Sequence, residues 1–379
     1  MNLSPPSRLK ITEIKLLNLR VVEEIGDIEP AWDLGGRMHF TRGGGSVVEV
    51  HTDAGLVGIG PGVAPDLLPV LNARLVGQDP FDTEKHIGVL RYYARGVAYR
   101  GFAGVDIALW DLIGKACNQP LWKLWGGAKE KVPAYASLVA LSTPEERAEL
   151  ALRLADEGWQ AIKLRIHCRT MAEDIAIVEK VRAAVGDRMT ILVDANQAQS
   201  SGNWQPGILW DYRRAVETAR ELQRLGVYWL EEPLPRYAFD QLAKLNAEVE
   251  MAIAGGENNP GLHEFAQMLQ QNVYDVLQPE SMVAEGVTTL RKIGVLAEAY
   301  GKQICPHHGG RNLGTIAHLH LTCAWRHAPF LEVLHDPPVG DYTYGFSNLT
   351  TPPLIDSQGF IHAPMGPGLG VEINRELIL

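Results

Sequence analysis

The chain has 379 residues, more than a typical single domain, so a large barrel or two domains is the first expectation. Hydrophobic residues make up 46% and charged residues 21%, enough apolar side chain for a substantial core. A net charge of −10 argues against nucleic acid as a partner, so an anionic substrate would need local cations or a metal.

The opening residues, MNLSPPSRLKITEIKLLNL, carry prolines and interspersed charges where a signal peptide needs an unbroken apolar core. No stretch approaches the roughly 20 apolar residues of a membrane span, so no membrane partner is expected. Cys117, Cys168, Cys305 and Cys323 are scattered and form no CxxC pair, which reads as a reduced, cytoplasmic protein.

Residues 1–126 read as strands followed by helices. KITEIKLLNLRVV alternates like a strand. EEIGDIEPAWDLGGRMHFTRGGG has no clear period and reads either as a lid over a site or as a disordered hairpin tip. SVVEVHTDAGLVGIGPG is a hairpin pattern turned by Asp53, Ala54 and Gly55. GFAGVDIALWDLIGKACNQPLWKLWGG is a mostly buried helical pattern ending at paired glycines.

In residues 127–355 the texture changes. Eight short apolar runs recur, each followed by a helical segment: VPAYASL, AIKLRI, TILVDAN, VYWLEEP, MAIAGGE, VYDVLQP, QICPHHG and FLEVLHD. Buried, non-alternating strands in a β-then-α repeat point to a parallel sheet, and eight repeats to a closed α/β barrel. A doubly wound open sheet is the rival, weakened because no run leads into GxGxxG. QSSGNWQPGILWDY, after the third run, is longer than a minimal connection and would shape the rim or an oligomer contact. Residues 356–379 are too short for a domain and are expected to pack back on the N-terminal one.

Polar residues at the C-terminal ends of barrel strands sit where active sites are built. In AIKLRIHC, alternation sends Lys163, Arg165 and His167 to one face. Asp194, the Glu231/Glu232 pair and Glu257 end three successive runs; with Glu231 as the middle member, the intervals are 37 and 26 residues. Each carboxylate alone would serve as a helix cap. Three converging would repel, and a divalent cation resolves the conflict; hard oxygen ligands select Mg²⁺. His307 or His308, in CPHHGG, is a candidate general base, and Glu280 one strand earlier a candidate partner for its second ring nitrogen.

GVDIALWDLIGKA, VDAN, WLEEP, GGEN, CPHHGG and PGLGVEIN, in this order, resemble the enolase superfamily and, within it, the mandelate racemase subgroup. The resemblance implies an α+β capping domain over a modified (β/α)₇β TIM-type barrel, in a protein that is commonly a homo-oligomer. It implies Mg²⁺ bound to a small-molecule carboxylate substrate and abstraction of the proton α to that carboxylate. By position, Asp194, Glu231 and Glu257 match the metal ligands, and Asn196 a residue beside them. His307 matches the strand-seven base. Glu332 matches a glutamate that, when protonated, hydrogen-bonds the substrate carboxylate. Lys163 matches the first lysine of the family's KxK motif, a carboxylate contact. Trp32, Arg37 and His39 fall in the loop that the family places over the barrel mouth; Arg37 and Arg42 would suit a distal carboxylate.

Two departures carry the functional expectation. The second KxK lysine is Arg165, which stays protonated and is a poor base, and the strand-six aspartate is Glu280. Racemisation needs an acid/base group on each face of the intermediate; β-elimination needs one. The expected activity is therefore dehydration of an acid sugar, an aldonate or aldarate, to a 2-keto-3-deoxy acid. A racemase or epimerase, with Lys163 as second base, and a non-catalytic carboxylate-binding protein are the alternatives.

Overall fold

The computed structural model describes residues 8–94, 101–199, 205 and 207–379. The expectation placed on the rim stretch after strand three falls on residues 199–212, of which 200–204 and 206 lie outside the described residues.

The N-terminal part contains β1 (Ile11–Asn18), β2 (Val21–Ile28), β3 (Met38–Gly43), β4 (Ser46–Thr52) and β5 (Val57–Pro61). It continues with α1 (Leu68–Leu75), α2 (Thr83–Ala94), α3 (Ala103–Ala116) and α4 (Leu121–Leu124). Strands β1, β4 and β5 form an antiparallel sheet in that order. Its core side chains, including Ile14, Val48 and Val50, pack against Leu71, Leu75, Val105 and Leu109. Helix α3 lies almost on the backbone of β5: a Cβ at Gly58 would stand 2.1 Å from the Ala108 carbonyl oxygen. Only glycine permits that approach.

The segment without a readable period is an ordered hairpin, β2 against β3. Register shifts between Val21 and Glu23 and between Glu24 and Gly26 explain why no alternation shows, because each bulge resets the inside–outside count.

The second part alternates β6 (Lys131–Ser137), α5 (Pro144–Asp156), β7 (Ala161–Arg165), α6 (Met171–Val185), β8 (Thr190–Asp194), α7 (Tyr212–Arg224), β9 (Trp229–Glu231), α8 (Phe239–Glu248), β10 (Ala252–Gly255), α9 (Gly261–Gln270), β11 (Val276–Leu277), α10 (Val287–Ala299), β12 (Gln303–Ile304), α11 (Leu313–Ala324) and β13 (Leu331–Leu334). The eight strands form a parallel sheet in the order β12-β11-β10-β9-β8-β7-β6-β13. The Ile304 amide donates to the His327 carbonyl at 3.2 Å, and the Cys305 thiol to the Phe330 carbonyl at 3.3 Å, drawing the two ends together. The fold is thus a small α+β domain with a (β/α)₇β TIM-type barrel.

Period-two alternation stacks the barrel interior in layers. Tyr135, Ala161, Leu192, Trp229, Ala254, Val276 and Cys305 form a buried apolar layer. Tyr135 and Phe330 both meet the Trp229 ring edge-on. Two residues further along the same strands come Ser137, Lys163, Asp194, Glu231, Gln278, His307 and Glu332. Barrel geometry therefore delivers the polar groups to one level, directly above a dry floor.

The C-terminal segment and Asp106 are among the connections that tie the small domain to the barrel. The C-terminal segment, expected against the N-terminal domain only, serves both parts. Its strand β14 (Phe360–His362) pairs antiparallel with β6, while the Leu369 amide donates to Asp111 Oδ1 on α3 at 2.7 Å and the Leu379 amide to the Asn18 carbonyl at 3.0 Å. Asp106, fully buried in the first turn of α3, accepts from the Thr288 amide at 2.8 Å and the Thr288 hydroxyl at 2.6 Å, capping barrel helix α10 from outside. Burial pushes its pKa from 3.8 up to about 6. Because the folded value exceeds the unfolded one, the stability Asp106 contributes is full below about pH 4 and is lost as pH rises through about 6. The stability difference between wild type and Asp106→Asn, from urea unfolding, should thus shift by roughly 2 kcal/mol against wild type between pH 4 and 7. A flat difference would refute the linkage.

Among the described residues no helix is long and apolar enough to cross a membrane. Cys117, Cys168, Cys305 and Cys323 are free.

Candidate active site

Asp194 at the end of β8, Glu231 at the end of β9 and Glu257 just past β10 each offer a carboxylate oxygen within 4.8 Å of the others. Asp194 and Glu231 are fully buried. Glu231 Oε2 accepts from the Gln278 amide at 2.7 Å and from the Trp229 indole at 3.2 Å. The Asn196 backbone amide donates to Asp194 Oδ1 at 2.8 Å. Burial and the neighbouring Asp194 raise the Glu231 pKa to about 8. Glu232, on a left-handed backbone at φ +45, is also fully buried, and neither carboxyl oxygen has a hydrogen-bond partner. Of the two adjacent glutamates, Glu231 is the one grouped with Asp194 and Glu257. A site so short of positive charge, built from hard oxygens, fits a divalent cation such as Mg²⁺.

Lys163 is completely buried beneath these acids. Its ammonium lies 2.8 Å from Glu231 Oε1, 2.8 Å from Glu332 Oε1 and 3.6 Å from Asp194 Oδ2. Burial opposes its charge, but Glu231 and Glu332 outweigh that penalty and hold it protonated. Arg165 pairs with Asp194 and also donates to the Leu138 carbonyl at 2.6 Å, Asn196 Oδ1 at 3.2 Å and Ser137 Oγ at 3.2 Å. Its guanidinium stacks 4.7 Å from the Trp32 ring centre. The two cations are thus neutralised by the protein's own carboxylates, not left facing a vacant anion position. Glu332 departs from the expectation of a protonated donor. Burial favours its neutral form, but Lys163 and the charge of His307 outweigh burial and hold it ionised.

His307 is set between two acids. Its Nδ1 lies 2.9 Å from Glu280 Oε2, and its Nε2 3.2 Å from Glu257 Oε2. Burial works against protonation, but Glu257, Glu332 and Glu280 raise its pKa to about 9. Glu280 is itself fixed by the Gly309 amide at 2.9 Å and the Met282 amide at 3.0 Å. His308 differs. Its Nδ1 accepts from the Gly310 amide at 3.0 Å, and burial with His307 alongside depresses its pKa well below normal. Of these two histidines, only His307 has a carboxylate against its ring nitrogens among the described residues. His167 is buried, with Nδ1 3.1 Å from the Ala195 carbonyl, and does not line the cavity.

These groups open into a cavity of about 450 Å³ lined by Trp32, Arg165, Asn196, Glu257, His307 and Arg311, among others. Two residues expected against substrate do not reach it. His39 sits on the outer face of β3, with ring nitrogens 2.7 Å from Asp27 and 2.5 Å from Glu24 on β2. Arg37 is 80% exposed, and its nearest carboxylate, Asp27, is 3.8 Å away. Strand parity is the reason: on β3, Met38 and Phe40 point inward, so His39 points out. Arg42 shares the parity of Met38 and Phe40, yet at the strand end it stays outside the cavity, over Tyr344 and beside Glu23. Sequence reasoning missed Gln278, although it stands two residues before Glu280 on the inward face. It also missed Arg311, for which loop sequence carries no signal.

The geometry agrees with comparisons to known proteins. Residues 146–377 match the family model described as enolase C-terminal domain-like, and residues 44–126 that of the mandelate racemase / muconate lactonizing enzyme N-terminal domain. The chain is 30% identical to arabinonate dehydratase of Saccharolobus solfataricus over 346 residues, 86% of this chain and 87% of that one. It is 31% identical to D-galactarolactone cycloisomerase of Agrobacterium fabrum, covering 90% and 92%. The crystal structure of D-glucarate dehydratase from Agrobacterium tumefaciens complexed with magnesium superposes with a TM-score of 0.81 at 27% identity, covering 98% of each chain. With both halves matched and the layered barrel in place, this chain belongs to the enolase superfamily, in its mandelate racemase group.

Proposed function

We propose that the protein is an Mg²⁺-dependent acid-sugar dehydratase that converts an aldonate or aldarate to a 2-keto-3-deoxy acid. One observation carries this reading: the acid/base equipment is one-sided. His307 and Glu280 form a dyad on one wall, whereas the strand-two position holds Arg165, tied to four protein acceptors. Lys163 is no substitute, because Glu231 and Glu332 hold its proton.

A single base suffices for elimination. With Nδ1–H donated to Glu280, the neutral form of His307 presents Nε2 to take the proton α to the carboxylate. The C2–H bond breaks, a C2–C3 double bond forms, and the C3–O bond breaks. The imidazolium returns its proton to the departing hydroxyl, which leaves as water, and the enol becomes the keto acid. A cation held by Asp194, Glu231 and Glu257 would supply Lewis acidity toward the substrate carboxylate where negative charge builds. Lys163 and Arg165, paired with carboxylates at the same level, hold down the negative charge of the site.

A second reading, cycloisomerisation of an acid-sugar lactone, uses the same single base with a ring oxygen as leaving group. The similarity to D-galactarolactone cycloisomerase favours it. The test is a library of aldonates, aldarates and their lactones with Mg²⁺, read by keto-acid formation and by mass. Loss of one water with a keto acid supports the dehydratase. Isomerisation without loss of water supports the cycloisomerase. Solvent deuterium in recovered substrate without keto acid overturns both in favour of an epimerase; binding with neither turnover nor exchange makes the protein a carboxylate-binding module.

A further inference from the structure

Arg311 is a cation that the chemistry above leaves unused. It ends the short turn Gly309–Arg311 after the two histidines, on a left-handed backbone at φ +66. A non-glycine residue held there is strained, and such strain persists only where the surroundings enforce it. Its guanidinium lies 4.7 Å from the Phe40 ring centre, so it is clasped between the histidine loop and the β2–β3 hairpin. Among the described residues, no carboxylate comes within ion-pair distance, and none of its N–H groups has a hydrogen-bond partner. Residues 1–7, 95–100, 200–204 and 206 contain no aspartate or glutamate that could supply one.

Burial lowers the Arg311 pKa, and no opposing charge is there to restore it. Arg165 shows the contrast, since its charge is matched by Asp194 and three further acceptors. Arg311 also borders two spaces. It lines the 450 Å³ cavity with His307 and Glu257, and a second cavity of about 170 Å³ that includes Thr41, Asp341, Tyr344 and Asn348. The one acid in that second space, Asp341, already accepts from the Thr343 amide and hydroxyl through Oδ1.

A half-buried planar cation whose donors have no partner among the described residues is arranged for a planar anion with two acceptor oxygens. We propose that Arg311 binds the second carboxylate of the substrate, so that the protein selects aldarates over aldonates. This rests on the acid-sugar reading above and makes its substrate class specific. A terminal phosphate is a poorer match, because Arg311 stands as a single guanidinium where a dianion calls for more positive charge.

The experiment uses Mg²⁺-loaded protein and matched pairs that differ only at C6: galactarate with galactonate, and glucarate with gluconate. Both kcat/KM and calorimetric affinity are measured. Wild type should favour the diacid by about a hundredfold. In Arg311→Met that ratio should fall to near parity, and Arg311→Lys should retain an intermediate ratio. If Arg311→Met does not fold, Arg311→Gln takes its place. A wild-type preference for the aldonate or for 6-phosphogluconate would overturn the proposal, as would an unchanged ratio in the variants. If ligands bind without turnover, the dehydratase reading fails, while the affinity ratio still decides the role of Arg311. Absence of binding by every pair overturns both.

Discussion

His307→Ala is expected to lower kcat by about 10⁴-fold or more, with the melting temperature close to that of wild type. The size follows from the double duty proposed for one side chain, taking a proton and later returning it; each positioned transfer is worth roughly 10² to 10⁴. The fold should tolerate the change, because Glu280 keeps its bonds from the Gly309 and Met282 amides when the imidazole is gone. Glu280→Gln is the informative companion. It retains a hydrogen-bond acceptor for Nδ1–H but loses the charge that stabilises the imidazolium, so kcat should fall by about 10- to 100-fold with KM little changed. Turnover of His307→Ala within tenfold of wild type would remove the histidine from its assigned role.

Lys163→Met is expected to produce the largest loss of stability, roughly 3–5 kcal/mol in urea unfolding without divalent cations. The lysine is the only ammonium at the level of Asp194, Glu231 and Glu332 among the described residues, and all four side chains are fully buried. Removing it strands carboxylates whose charge has no route to water. Millimolar Mg²⁺ should raise the melting temperature of the variant more than that of wild type, because a ligand that binds only the folded state stabilises by mass action and here also replaces a missing charge. Equal increments would show that cation and ammonium do not act on the same carboxylates.

The barrel was legible because its strands are short, buried and regularly spaced. The polar level could be read for the same reason: it lies one alternation above the apolar layer on strand after strand, as from Trp229 to Glu231 and from Ala161 to Lys163. Legibility failed where the chain leaves that rhythm. Strand β9 has only three residues, and Glu232 then turns onto a left-handed backbone, so WLEEP alone does not choose between its glutamates. On the cap hairpin, two bulges break the alternation of β2, so the pattern of that strand does not show which side of the hairpin faces the barrel. Arg311 is invisible to any one-dimensional pattern, because its isolation from carboxylates exists only once loop and hairpin meet.

The floor of Tyr135, Trp229 and Phe330 has a consequence for traffic. A barrel plugged by interlocked rings is a well and not a tunnel. In the proposed reaction, cation, sugar acid, expelled water and keto acid would all use one doorway, the mouth beside Trp32 and the hairpin that carries Phe40. Arrival and departure there are mutually exclusive, so whatever slows the doorway slows the whole cycle, even when the proton transfers are fast.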